Sequence, residues 1–195
     1  MIATNDDDLA AKIKTARSHG MTTLTWDRHR GHAHSYDVVD LGYNYRMDEV
    51  RSALGLVQLE KLARNNERRR ELAAEYRRLL ADVPGVHVPF SRHPGTSACH
   101  LFPILLDSRI NRRSLMERMR DQGIQTSIHY PPIHQFRYYR ERFGDQPGEL
   151  PLTEAVGLRE VTLPLYPGMA IRDVKTVVSA LCSAIEEDRS HVYPS

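Results

Sequence analysis

With 195 residues, 41% of them hydrophobic, the chain has enough apolar material for one ordinary domain or two small ones. Lysine and arginine number 27 against 25 aspartates and glutamates, and the net charge of +2 gives no general attraction for nucleic acid or an anionic membrane. No apolar run approaches the roughly 18 residues of a membrane span, the start lacks the pattern of a signal peptide, and Cys99 and Cys182 form no metal or disulfide framework, so a cytoplasmic protein is expected.

Residues 1–4 read as the end of a strand, after which Asn5 or Asp6 caps a helix whose Leu9, Ala10, Ile13 and Ala16 fall at helical spacing. So short a strand needs neighbours, and an upstream segment is expected. From 18 to 45 periodicity stops in a polar loop that holds Gly20, Gly31 and Gly42 and a dense run of Trp26, Arg28, His29, Arg30, His32, His34 and Tyr36. Loops of this length are functional or disordered, and the arginines and aromatics favour function. Residues 48–82 contain no proline, open on Asp48 and Glu49 and are rich in good helix formers, which predicts one long helix. Its first half is apolar on more than one side, through Val50, Ala53, Leu54, Leu56, Val57, Leu59 and Leu62. Its middle is polar, and Leu72, Tyr76, Leu79 and Leu80 then restore apolar spacing, as in a helix that links two packed bodies.

Pro84-Gly85 ends that helix. Strands are predicted over 86–88, 98–106 and 124–130, with Pro103 arguing for an edge or a bulge and a helix running from an Asn111 cap to a Gly123 stop. A Pro-, Tyr- and Arg-rich loop over 131–151, a short helix over 152–159 and a strand over 161–166 follow. The closing helix is marked by Ile171, Val174, Val177, Val178, Leu181, Cys182 and Ile185 in one stripe, and the tail after Asp188 frays. The fold class is α/β.

Generic catalytic signatures are missing: the sequence has no Walker loop, G-x-G-x-x-G, G-x-S-x-G or H-E-x-x-H. His29, His32 and His34 lack a cysteine or carboxylate of fitting spacing, so no metal site is expected. Gly42-Tyr43-Asn44-Tyr45-Arg46-Met47 stands directly before the long helix, whose unpaired N–H groups and positive dipole end suit an anion such as phosphate, with Asn44 and Arg46 as donors. The plainer reading of this segment by itself is that Asn44 caps a turn and Arg46 pairs with a surface carboxylate.

His129-Tyr130-Pro131-Pro132-Ile133-His134 follows a predicted strand and has two readings. Either it builds a binding site with a donor and a stacking face, or it is an edge strand with a satisfied histidine and a packed tyrosine. Leu163-Pro164-Leu165-Tyr166-Pro167-Gly168-Met169 reads as structural. The arginines over 64–78 are interleaved with Glu67, Glu71 and Glu75 at helical spacing, a solvated, salt-bridged face rather than a nucleic-acid surface.

Taken in order, these segments resemble the DegT/DnrJ/EryC1/StrS family of pyridoxal-phosphate (PLP) sugar aminotransferases. The resemblance rests on the Asn-Asp start before a helix, Ser18-His19-Gly20-Met21, G-Y-N-Y-R-M, and Ala53-Leu54-Gly55-Leu56 with Gln58-Leu59-Glu60-Lys61-Leu62. It continues through Gly123-Ile124-Gln125-Thr126 leading into H-Y-P-P, and ends on L-P-L-Y-P-G-M. It implies a fold-type-I transferase in which a large domain holds PLP, a smaller C-terminal domain closes over the site, and two subunits share each active site. The chain resembles the C-terminal portion of such an enzyme, beginning just after the segment that carries the Schiff-base lysine. On that basis 1–47 is the tail of the large PLP domain with an active-site loop, 48–82 a linking helix, 83–188 the small C-terminal domain and 189–195 a tail.

The resemblance also implies roles. Asn44 donates to the PLP phosphate of the neighbouring subunit, Arg46 approaches the anionic part of a nucleotide-sugar, Arg30 does the same with Arg28 as a further candidate, and His129 and Tyr130 form the substrate-side pair. His134 falls on the family pattern with no role assigned. No catalytic base is assigned, because none of Lys12, Lys14, Lys61 and Lys175 sits in the family's lysine motif, and covalent attachment of PLP is expected to need the missing N-terminal part. The expected function is amination of a nucleotide-linked keto-sugar with glutamate or glutamine as donor, in a homodimer or a complex with a full-length homologue, with no nucleic-acid or membrane partner. The alternative is a non-catalytic relative that serves as a dimerisation module for a full-length aminotransferase.

Overall fold

The computed structural model describes residues 2–23, 36–91, 93–144 and 148–192, the side chains of 189–192 excepted. The chain divides into two compact units, Met1–Glu60 and Lys61–Ser195.

In the first unit, helix α1 (Asp7–Arg17) starts where the Asp6 carboxylate accepts the Leu9 N–H at 2.9 Å. Asp7 and Asp8 in its first turn and Lys14 and Arg17 in its last complement the helix dipole. Residues 2–4, expected as a strand end, form no strand, since nothing among the described residues pairs with them. After α1 the chain reverses, and the segment around 37–45 runs back antiparallel along 16–22. Tyr43 N–H donates to Ala16 O (2.7 Å), His19 N–H to Tyr43 O (2.9 Å), Tyr45 N–H to Arg17 O (3.0 Å) and Val39 N–H to Gly20 O (2.9 Å). The two backbones touch at Gly20 and Gly42: a Cβ on Gly42 would lie 1.8 Å from Gly20 N, and one on Gly20 1.9 Å from Asp40 O. Only glycine admits that approach.

Helix α2 (Glu49–Leu80) is continuous as its composition dictates, and the division between the units falls within it. Its apolar residues before the division, Val50, Leu54, Leu56 and Leu59, are exposed, whereas Leu72, Ala73, Tyr76 and Leu80 are buried in the second unit. Between them the polar middle is paired along the helix, Arg68 to Glu71 at 2.7 Å and Arg70 to Glu67.

The second unit is built on a three-stranded antiparallel sheet in the order β1 (Val86–His87), β2 (Phe102–Leu106), β3 (Glu160–Leu163). Between β2 and β3 come α3 (Arg112–Asp121), capped by Asn111, a 3-10 turn (Ile133–Gln135), α4 (Arg137–Phe143) and α5 (Pro151–Arg159), which has proline at its first position. Helix α6 (Ile171–Val192) closes the unit. The core joins Leu72 and Tyr76 of α2, Phe102 and Ile104 of β2, Leu115 and Met119 of α3, and Val174 and Leu181 of α6. Tyr76 stacks on Phe102 with ring centroids 4.7 Å apart and donates its hydroxyl to Pro164 O at 2.9 Å. Burial pushes that phenol well above the ordinary tyrosine range.

Three expectations need correction. Pro103 lies in the central strand rather than at a sheet edge, opposite Thr162. Thr162 turns both its backbone groups to Ser127 (N–H to Ser127 O 2.8 Å, O from Ser127 N–H 3.2 Å), so Pro103 faces the β1 side, where β1 has already ended at the positions opposite Leu105 and Leu106. Proline therefore forfeits no ladder bond. The strand expected over 124–130 shrinks to the single bridge Ser127↔Thr162. The loop expected over 131–151 holds the 3-10 turn and the short helix α4, neither of which buries a residue.

Candidate functional site

In the first unit the G-Y-N-Y-R-M segment is held extended by the backbone bonds to α1 and to the turn after it. Residues two apart on an extended chain share a face. Tyr43 and Tyr45 accordingly stack at 5.2 Å with planes 6° apart, and Asn44 and Arg46 meet on the other face. Arg46 Nε donates to Asn44 Oδ1 at 3.3 Å, and a terminal guanidinium nitrogen donates to His19 Nε2 at 2.9 Å. Since arginine only donates, His19 Nε2 is the acceptor and its proton sits on Nδ1. With Oδ1 committed to Arg46, the Asn44 amide presents its N–H groups, which find no partner among the described residues.

At the N-terminal end of α2 the first turn is capped from within the chain. The Asp48 carboxylate accepts the Arg51 N–H at 2.8 Å and pairs with the Arg51 guanidinium at 3.1 Å, so a negative charge already caps this helix. Asn44 and Arg46 are the side-chain donors that precede this cap. Arg28 and Arg30 lie outside the described residues, as do His29, His32 and His34.

In the second unit His129 and Tyr130 stand side by side, rings edge-to-face at 4.8 Å, with Tyr130 exposed. They line a cavity of about 330 Å³ together with Pro132, Leu152, Val156 and Gly157. Gly157 is required there because a Cβ would lie 2.6 Å from Pro132 Cδ. His129 is fixed twice: its N–H donates to Glu160 Oε2 (2.9 Å) and its Nδ1 meets Thr162 Oγ1 (2.9 Å). His134 receives a structural role, its Nε2 lying 3.3 Å from Glu154 Oε1 with both side chains nearly buried, which ties the 3-10 turn to α5. The Gly148 N–H, then His134, hold the Glu154 carboxyl below the usual range.

The structure thus brings Asn44 to Arg46 and His129 to Tyr130, each pair within its own unit. Sequence reasoning left His19, Glu160 and Thr162 without roles. For Glu160 and Thr162 the signal was there: two polar residues two apart on a strand share a face, here in a strand that is buried throughout.

A sequence profile of the DegT/DnrJ/EryC1/StrS aminotransferase family matches residues 1–182. The chain belongs to this family. It is 34% identical over 193 residues to the uncharacterized protein MJ1066 of Methanocaldococcus jannaschii, covering 97% of this chain and 50% of that one. Its fold is similar to that of Helicobacter pylori PseC, an aminotransferase involved in the biosynthesis of pseudoaminic acid, with 29% identity and a TM-score of 0.83 over 94% of this chain and 48% of that one. DesI, solved in the presence of its TDP-sugar product, gives 28% identity and a TM-score of 0.79 over 97% of this chain and 46% of that one.

The chain therefore spans about half the length of the relatives it matches. Its long helix and small sheet are the architecture of the C-terminal part of the PLP-dependent aminotransferases. Within this sequence Lys12, Lys14, Lys61 and Lys175 occupy exposed helix positions. No helix among the described residues is long and apolar enough to cross a membrane.

Proposed function

We propose that this chain is the C-terminal part of a cytoplasmic PLP-dependent aminotransferase that aminates a nucleotide-linked keto-sugar, taking the amino group from glutamate or glutamine. The observation that carries the reading is the Asn44–Arg46–His19 cluster. It places amide N–H groups beside a guanidinium on an exposed, extended segment, a donor set whose chemistry suits phosphate oxygens. Asn44 would hold the PLP phosphate of a neighbouring subunit and Arg46 the diphosphate of the sugar nucleotide. His129 and Tyr130 would line the sugar side. PLP, when bound, supplies the electron sink for amino-group transfer. The donors present fit the phosphate end of that group, whereas none of the four exposed lysines fits its covalent attachment.

The active form is a homodimer or a complex with a lysine-bearing homologue. Exposed Val50, Leu54, Leu56 and Leu59 on α2 support an association surface. In the active assembly Arg46→Ala is expected to raise KM for the nucleotide-linked sugar roughly tenfold to a hundredfold, the loss of a charged hydrogen bond, while KM for the amino donor moves little. Equal changes in both constants would remove the sugar-nucleotide assignment.

A further inference from the structure

The His129 ring ends a chain of hydrogen bonds that runs through β3, and the chain has a direction. Thr162 Oγ1 lies against Glu160 Oε1 at 2.5 Å and against His129 Nδ1 at 2.9 Å. Glu160 Oε2 is occupied by the His129 N–H, so both carboxylate oxygens act as acceptors. An ionised carboxylate cannot donate, so the Thr162 hydroxyl proton points at Glu160 and its oxygen has only lone pairs left for the imidazole. Nδ1 must then carry the ring proton. Glu160 and Thr162 are buried, which removes competing water from this step, and no partner for His129 Nε2 occurs among the described residues.

We infer that Glu160 and Thr162 are positioning residues that fix His129 in the Nδ1–H tautomer and so leave Nε2 as a hydrogen-bond acceptor beside the cavity of His129 and Tyr130. This rests on the proposed function only in identifying what meets Nε2: on a sugar-binding face the group it accepts from is a substrate hydroxyl. The relay itself is a property of the free chain. Glu160 also lines this cavity, and the effect assigned to it and to Thr162 is the one they exert through the histidine.

The test is nitrogen-15 NMR of histidine-labelled protein, without ligand and in mildly alkaline buffer. The wild type is expected to show a protonated Nδ1 and an unprotonated Nε2 for His129, the reverse of the tautomer that free imidazole side chains prefer in water. Thr162→Val, similar in volume, removes the relay, and the Nδ1–H form should fall to a minority. Thr162→Ser should restore it. Glu160→Gln is the most discriminating change: its amide oxygen must still accept the His129 N–H, so its NH2 faces Thr162 and turns the hydroxyl proton toward Nδ1, and the Nε2–H form should predominate. A wild type with the proton on Nε2, or a Thr162→Val protein with the wild-type tautomer, would overturn the inference. The Arg46→Ala kinetics bear on the sugar reading and leave this tautomer where it is, so the two can fail separately.

Discussion

At the scale of single residues, the first site depends on two positions that have no side chain. Gly20, with a φ of +69°, and Gly42 let the 37–45 segment lie directly on the turn after α1, and that contact sets which face of the extended chain carries Asn44 and Arg46. Gly20→Ala combines a left-handed backbone with a Cβ at 1.9 Å from a backbone oxygen, so neither strain nor clash relaxes by a side-chain rotation. The expected cost exceeds about 1 kcal/mol. Hydrogen exchange should report it as at least fivefold faster exchange at the His19, Tyr43 and Tyr45 amides, with the β2–β3 amides unchanged. The residues themselves were readable: Asn44, Arg46, His129 and Tyr130 stood out by type and order. Their partners were not, because Arg46 meets His19 at a separation of 27 along the chain and His129 meets Glu160 and Thr162 from a separate element.

At the scale of elements, α2 shows how far composition reaches. A proline-free run of good helix formers with an acidic cap makes a helix whatever surrounds it, and the observed Glu49–Leu80 lies within the predicted 48–82. Which apolar residues of that helix stabilise this chain is a packing question. Leu72 is fully buried and Leu59 is 64% exposed, although the sequence offers both as apolar helix positions. Leu72→Ala is expected to cost about 2–5 kcal/mol in denaturant unfolding, and Leu59→Ala to stay within about 0.5 kcal/mol. A large loss at Leu59 would show that this face is covered in solution. The short strands were less legible for the opposite reason. Pro103 is acceptable in β2 only because β1 stops short of it, a fact of register that no local pattern carries.

At the largest scale, the proposed division of labour gives this chain the binding groups and another segment the reactive amine. A lysine that bonds covalently to a carbonyl cofactor at neutral pH needs desolvation or a neighbouring cation to release its proton. Lys12, Lys14, Lys61 and Lys175 are all exposed on helices. After incubation with PLP and reduction with borohydride, peptide mapping is expected to find scattered substoichiometric adducts. A single stoichiometric phosphopyridoxyl-lysine would mean that this chain holds the cofactor by itself.

The family, the α/β class, the long helix, the capped starts of α1 and α3 and the identity of the candidate site residues are legible along the chain. Helix propensity, capping and ordered motifs are local properties and survive without neighbours. Packing in three dimensions was needed to show that Arg46 meets His19, that His134 serves α5, and that Glu160 reaches the His129 ring through Thr162. Each of these depends on which oxygen or nitrogen is already engaged, and a donor's remaining capacity is fixed by its neighbours in space rather than by its neighbours in the chain.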